Sequence, residues 1–298
     1  MNFCANSKVL VQGIAEPLGS LYVPVMQAYG TPIVAGVSPG HGGKSIESIP
    51  VFDLVEQVVE QFGSIDISIL FVPPYAAVDA ALEAMAAGIR QLILITEGVP
   101  PLDVIKILRE AEATETLVVG PSSPGVIVPD QILLGTYPPY CYTPGSIGLI
   151  SRSGSLTHEV ALELTRAGLG QSIAIGIGGD RIPGSSFQQW LQILEESDQT
   201  EVIVLIGEIG GDSEEAAAHY IHESIDKPVV AYLAGTTVPK GQPFGHAGAI
   251  VAAKIAGLGI EIGTAESKLA AFKQVKIPVA DRPSKIPQLV KQVLRKRK

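Results

Sequence analysis

The sequence predicts two successive doubly wound α/β domains, and three observations lead there. Short β-branched runs alternate with helix-periodic segments along most of the chain. Glycine- or serine-rich junctions follow several of those runs, and one stretch rich in proline and tyrosine breaks the rhythm near the middle. Such alternation is the signature of parallel sheets, whose strands are rejoined through crossover helices.

The first series places strands at 8–13, 32–37, 68–72, 92–96 and 117–119. Between them, the alanine- and leucine-rich segments 78–88 and 102–113 repeat apolar residues every three or four positions, as a helix packed on a sheet requires. The run 136–145, with Tyr137, Pro138, Pro139 and Tyr140 in close order, carries neither period. It sets the domain boundary, giving domains 1–143 and 144–298. A second series follows, with a strand at 147–150, a helix at 156–167, and further strands at 173–177, 202–206 and 229–233.

At 298 residues the chain is long enough for two domains that each bury a core. With 46% hydrophobic and 17% charged residues it reads as folded rather than disordered. A net charge of -9 argues against a nucleic-acid partner. The basic ending Lys291, Arg295, Lys296, Arg297, Lys298 reads as cations at the C-terminus of a last helix. Cys4 and Cys141 are the only cysteines and have no metal-ligand spacing, so no metal site and a reducing compartment are expected. The first eight residues lack the apolar core of a signal peptide, and no run reaches the ~18 apolar residues of a membrane span. A cytoplasmic protein without a membrane partner is the expectation.

Chemistry concentrates at the glycine-rich junctions. His246 stands among small residues in Gly245-His246-Ala247-Gly248-Ala249-Ile250, and Glu208 lies in a glycine-rich turn directly after the apolar run 202–206. An imidazole nucleophile needs one tautomer fixed and its developing cation stabilised, and a carboxylate on the other ring nitrogen does both. A histidine bonded to turn backbone is the alternative reading. The stretch 151–155, Ser-Arg-Ser-Gly-Ser, is a strand end running into a helix start, where Ser153, Gly154 and Ser155 fit either an anion site or an ordinary serine cap. The first strand runs into Gly13-Ile14-Ala15-Glu16-Pro17-Leu18-Gly19 without GxGxxG, and Ser38-Pro39-Gly40 stands where a ribose-binding acid would follow the second strand. A nicotinamide cofactor is therefore disfavoured. Residues 38–45 approach a P-loop, but no helical run follows to present its N-terminus to a phosphate. His219 and His222 read as solvated helix histidines, and Trp190 as a core or interface residue.

In order along the chain, Leu10-Val11-Gln12-Gly13, Val37-Ser38-Pro39-Gly40, Val72-Pro73-Pro74, Ile95-Thr96-Glu97-Gly98, Ser151-Arg152-Ser153-Gly154, Gly176-Ile177-Gly178-Gly179-Asp180, Gly207-Glu208-Ile209-Gly210-Gly211 and Gly245-His246-Ala247-Gly248-Ala249 closely resemble the α subunits of succinyl-CoA synthetase. The resemblance implies a Rossmann-like CoA-binding domain followed by a flavodoxin-like ligase domain. It implies that His246 is phosphorylated during turnover, that Glu208 orients it, and that Ser153, Gly154 and Ser155 hold the phosphate. Coenzyme A would lie along Ala15, Glu16, Pro17, Leu18, Ser38, Pro39, His41, Val72, Pro73, Ile95, Thr96 and Glu97, and His158 would face substrate at a site shared with a β subunit. That partner, in a heterodimer or heterotetramer, would supply Mg²⁺ with ATP/ADP or GTP/GDP. The implied activity interconverts succinate, CoA and nucleoside triphosphate with succinyl-CoA, nucleoside diphosphate and phosphate. A module acting on malate or citrate, or a CoA-binding regulatory paralogue with impaired turnover, are the alternatives.

The chain departs from the family mainly at coenzyme A. Glu16 replaces the middle glycine of the first turn, and Pro17 after it has no N–H to donate. His41 stands where the second loop usually has lysine, His158 where a tyrosine is usual, and Ser122-Ser123 replaces an asparagine-cysteine pair.

Overall fold

The computed structural model describes residues 3–236 and 263–297. The chain divides into two compact units, Met1–Pro139 with Ile182–Gly184, and Tyr140–Arg181 with Ser185–Lys298.

The first unit runs β1 (Val9–Gln12), α1 (Pro17–Ala28), β2 (Ile33–Val37), β3 (Ser45–Ile46), β4 (Ile49–Phe52), α2 (Val55–Phe62), β5 (Ile67–Leu70), α3 (Ala77–Ala86), β6 (Gln91–Leu94), α4 (Pro101–Ala113) and β7 (Leu117–Val119). Its sheet has the order β3-β4-β2-β1-β5-β6-β7, with every neighbouring pair parallel except β3 with β4. Setting β3 aside, this is the Rossmann order, whose direction reverses between β1 and β5. Strand β1 is buried at all four positions, as a parallel strand covered on both faces must be. Its one polar member, Gln12, is satisfied: Nε2–H donates to the Ala80 carbonyl at 2.9 Å, and Oε1 accepts the Ser68 hydroxyl at 2.8 Å. Leu10, Leu70, Leu92, Leu94, Met85 and Ile107 pack together in the core. The antiparallel hairpin of β8 (Gly125–Val128) and β9 (Ile132–Gly135) also belongs to this unit. Thr31 fastens it, its hydroxyl donating to the Leu133 carbonyl at 2.7 Å and accepting the Leu133 N–H at 3.1 Å.

The second unit runs β10 (Pro144–Ser151), α5 (Gly154–Arg166), β11 (Gln171–Gly176), α6 (Phe187–Glu196), β12 (Val202–Glu208), α7 (Ser213–Ser224), β13 (Val229–Ala234), α8 (Ala265–Gln274), β14 (Val279–Ala280) and α9 (Ile286–Arg297). Its strands follow the order β14-β13-β12-β10-β11, all parallel, which is the flavodoxin-like order with its reversal between β10 and β12. The run Val202 to Ile206 is fully buried. Trp190 on α6 is buried in this unit, and its indole N–H donates to the Ser185 hydroxyl at 2.8 Å. Among the described residues no helix is long and apolar enough to cross a membrane.

Two glycines fix the first crossover. Gly13 has φ +80°, and a Cβ there would lie 2.8 Å from the Val72 nitrogen. A Cβ on Gly19 would lie 2.2 Å from the Gly13 carbonyl oxygen, so α1 packs directly on its own entry turn. Gly13 and Gly19 thus each have a packing reason at this turn, and the residue midway between them is Glu16. We expect Gly19→Ala to destabilise the first unit by about 1–3 kcal/mol, the range for a side chain forced into filled space. Urea unfolding followed by far-UV circular dichroism checks this; an unchanged midpoint would show that the turn relaxes freely.

Candidate active site at the strand ends

In each sheet the candidate residues emerge from the carboxyl ends of strands beside the order reversal, where ligands bind in open α/β sheets. In the first unit, Ala15, Glu16, Pro17 and Leu18 follow β1, Ser38, Pro39 and His41 follow β2, Val72 and Pro73 follow β5, and Ile95, Thr96 and Glu97 follow β6. The adjacency β2-β1-β5-β6 brings all four groups to one edge.

Their roles along that edge differ. Leu18, Pro39, Pro73 and Glu97 are exposed, Ala15, Glu16, His41 and Val72 are partly buried, and Ser38, Ile95 and Thr96 are buried. The Thr96 hydroxyl donates to the Val72 carbonyl at 2.7 Å, tying the ends of β5 and β6 together. Glu16 is the N-cap of α1 but makes no side-chain capping bond, and Pro17 occupies the first helical position. This helix start thus presents a carboxylate and lacks one N–H donor. Asp53 holds the second loop, its Oδ1 accepting the N–H groups of Gly40 at 2.7 Å and Gly42 at 3.0 Å. Sequence reasoning missed Asp53, which follows β4 and carries no signal local to the loop. His41 Nδ1 is buried without a hydrogen-bond partner among the described residues. Residues 38–45 lead into the strands β3 and β4 rather than a helix, which is why the near P-loop cannot work as one.

In the second unit, β10 and β12 are adjacent and in register, with Ser151 opposite Ile206 and the Arg152 N–H donating to the Ile206 carbonyl at 3.0 Å. The start of α5 and the Glu208 turn therefore leave neighbouring strands at the same level. Ser153 is the N-cap of α5, yet its side chain accepts no hydrogen bond from the helix, and the first turn holds no acidic residue. Ser186 of α6, by contrast, accepts the Gln189 N–H in a complete capping box. The donors at the start of α5 are thus left without a side-chain cap. A Cβ added to Gly154 would meet nothing within 4 Å, so the approach is open. Glu208 is partly buried. His246 lies outside the described residues.

Arg152 would pass in the sequence for a phosphate ligand. Its guanidinium instead turns inward, donating to the Gly210 carbonyl at 2.9 Å and to Glu214 at 3.1 Å. Burial works to raise the Glu214 carboxyl, but Arg152 and Lys268, with hydrogen bonds from Lys268 and the Glu208 N–H, outweigh it and hold the carboxyl below its usual range. Glu214 and Lys268 were not legible as site residues, because a glutamate in the first turn of a helix and a lysine on another carry no motif.

His158 lies on α5, its Nδ1 3.0 Å from the Tyr142 hydroxyl and its ring edge-on to the tyrosine. Burial lowers its pKa from 6.5 to about 4, so the imidazole is neutral at pH 7. A neutral imidazole both donates and accepts hydrogen bonds but offers no charge. His219 and His222 on α7 are exposed, and no group of three ligands able to hold a metal exists among the described residues.

Comparison with known proteins supplies the family context. Residues 5–98 match the CoA binding domain family and residues 150–275 the CoA-ligase family. The chain is 43% identical, over 97% of its length, to the succinate–CoA ligase [ADP-forming] subunit alpha 2 of Archaeoglobus fulgidus, covering 98% of that protein. Identity to the subunit alpha of Aquifex aeolicus is also 43% over 97% of this chain, covering 93% of that one. Among solved structures, ATP citrate lyase from Methanothrix soehngenii in complex with citrate and coenzyme A superposes with a TM-score of 0.87 at 25% identity, over 99% of this chain and 51% of that one. The dinucleotide forming acetyl-coenzyme A synthetase 1 of Ca. Korarchaeum cryptofilum, at TM-score 0.71 and 20% identity over 93% of this chain and 58% of that one, shares the fold. The chain thus spans about half the length of these solved chains.

The His158 environment predicts a pH dependence of stability. A pKa lowered on folding means that the unfolded state binds more protons between pH 6.5 and about 4. The contribution is complete above pH 6.5 and is lost as pH falls toward 4, amounting to about 3 kcal/mol at roughly 1.4 kcal/mol per unit. Denaturant unfolding at pH 7.5 and 5 should show about 2 kcal/mol of this loss in the wild type and a smaller one in His158→Gln; equal losses in both would remove His158 as the cause.

Proposed function

The chain belongs to the family of succinate–CoA ligase α subunits, and from that premise we propose that it is the α subunit of an acid–thiol ligase, joined by a β subunit. The pair interconverts succinate, CoA and a nucleoside triphosphate with succinyl-CoA, the nucleoside diphosphate and phosphate, through a phosphohistidine at His246. The observation that supports this reading best is the level exit of the uncapped α5 start and the Glu208 turn from the adjacent strands β10 and β12.

In this reading, phosphate attacks the thioester carbonyl of succinyl-CoA, the C–S bond breaks, and succinyl phosphate and CoA result. The His246 imidazole then attacks phosphorus, the P–O bond to succinate breaks, and the phosphohistidine passes its group to a nucleoside diphosphate on the β subunit. The first-turn N–H groups of α5 hold the phosphate, their dipole favouring its negative charge. Glu208 accepts the imidazole N–H and stabilises the cation that forms when the other nitrogen attacks. CoA is held by the first unit along the ends of β1, β2, β5 and β6, and domains 1–143 and 144–298 divide binding from transfer. Mg²⁺ and nucleotide belong to the partner, in keeping with the absence of a P-loop here.

A citrate-acting module is the second reading, favoured by the 0.87 TM-score to ATP citrate lyase. The 43% identity to the succinate–CoA ligase subunits, against 25% to the lyase, supports the first reading.

With the β subunit, Mg²⁺ and labelled nucleotide, the protein should take up acid-labile, base-stable label that disappears in His246→Asn. Label retained by that variant would exclude His246. Glu208→Gln should slow the uptake by a factor on the order of 10² to 10⁴, the range for a positioned acid–base group. Turnover with citrate or malate but not succinate would reassign the acid.

The altered CoA edge gives a separate expectation. Glu16→Gly removes a carboxylate from the start of α1, and His41→Lys supplies a permanent cation to the second loop. Each should tighten CoA binding at pH 8 by about 1 kcal/mol, since pairs exposed to water are screened. Calorimetric titration checks this; affinities equal to wild type would place the diphosphate elsewhere.

A further inference from the structure

Beneath the β12–α7 turn lie four charged side chains: Arg152 from the β10–α5 junction, Glu214 and Glu215 from the start of α7, and Lys268 from α8. Glu214 and Lys268 are fully buried and Arg152 is 7% exposed. Their formal charges cancel.

Glu214 is the hub. One of its oxygens accepts the Arg152 guanidinium at 3.1 Å and the backbone N–H of Glu208 at 2.9 Å. The other accepts the Lys268 ammonium and the Ser213 hydroxyl, the latter at 3.0 Å. The two cations also reach the turn itself, Arg152 donating to the Gly210 carbonyl and Lys268 to the Gly211 carbonyl, each at 2.9 Å. The backbone at 208, 210 and 211 is thereby held from below by one network. Gly207 makes the approach possible, because a Cβ there would lie 2.5 Å from the Glu214 side chain.

A buried ion cluster is a poor way to stabilise a fold, since desolvation commonly cancels the Coulombic gain and apolar replacements do as well. What it supplies here is a bonded partner for the Glu208 N–H and for the Gly210 and Gly211 carbonyls, which bracket the point where the Glu208 side chain starts. We propose that Glu214, with Arg152 and Lys268, is a positioning residue for phosphoryl transfer. It fixes the backbone of Glu208 and couples it to the phosphate-holding start of α5, because Arg152 directly precedes Ser153. This rests on the reading of Glu208 as the carboxylate that serves His246.

A double-mutant cycle in the complete two-subunit enzyme tests it, with single-turnover formation of phosphohistidine as the readout and CoA affinity and thermal midpoint measured alongside. Glu214→Gln should slow phosphohistidine formation by about 10- to 100-fold and leave CoA affinity unchanged, while in a Glu208→Gln background it should cost less than about threefold more. The same full loss in both backgrounds, or no loss in either, would overturn the positioning role and leave the network purely structural. Wild-type transfer in Glu208→Gln alone would overturn the reading of Glu208 itself, an outcome that involves no change at 214. If Glu214→Gln fails to accumulate as folded protein, the charge-balanced pair Glu214→Gln/Lys268→Met takes its place in the cycle with the same expected non-additivity.

Discussion

Parallel sheets constrain everything else in this molecule. Strands such as β1 and β12 are covered on both faces, so nearly every side chain along them is apolar, and the rare polar one, such as Gln12, is consumed by internal hydrogen bonds. Groups able to do chemistry are pushed to the strand ends, and the order reverses at β1/β5 and β10/β12, the places where open α/β sheets bind ligands. Within the second unit that displacement has a price in electrostatics. At the strand end, buried charges bond the Glu208 N–H and the Gly210 and Gly211 carbonyls of the turn.

How much of this was legible depended on whether the signal was local. The periods that marked residues 202–206 and 102–113 act within a single element, and β12 and α4 form there. Helix α1 was harder to see, because Pro17 and Pro24 interrupt its pattern although proline is tolerated at the first position. The hairpin β8–β9 escaped because its strands depend on a distant anchor, Thr31. Serine at a helix start left two meanings open, and only the geometry separates them: Ser186 closes on its helix while Ser153 does not. The Arg152–Glu214–Lys268 network was illegible for a stronger reason. Its members are some 50 to 60 positions apart or more, at sequence separations of 62 and 54, and none belongs to a motif.

The two edges also differ in how their backbone and charge are arranged. At the first, the packing glycines Gly13 and Gly19 stay while the residue between them is a carboxylate, so the backbone route is kept and its charge is changed. Asp53 adds to this, since it occupies two N–H groups of the second loop. At the second, the start of α5 is left without a side-chain cap and the Glu208 turn is held by buried charges.

Trp190 has a practical consequence of a different kind. It is the chain's single tryptophan, fully buried, and it belongs to the second unit. Intrinsic emission excited at the red edge therefore reports on that unit alone, while far-UV ellipticity sums over both. The interval between the two signals in one melting experiment separates the unit proposed to hold CoA from the unit proposed to carry the phosphoryl group, with no probe attached and no residue replaced.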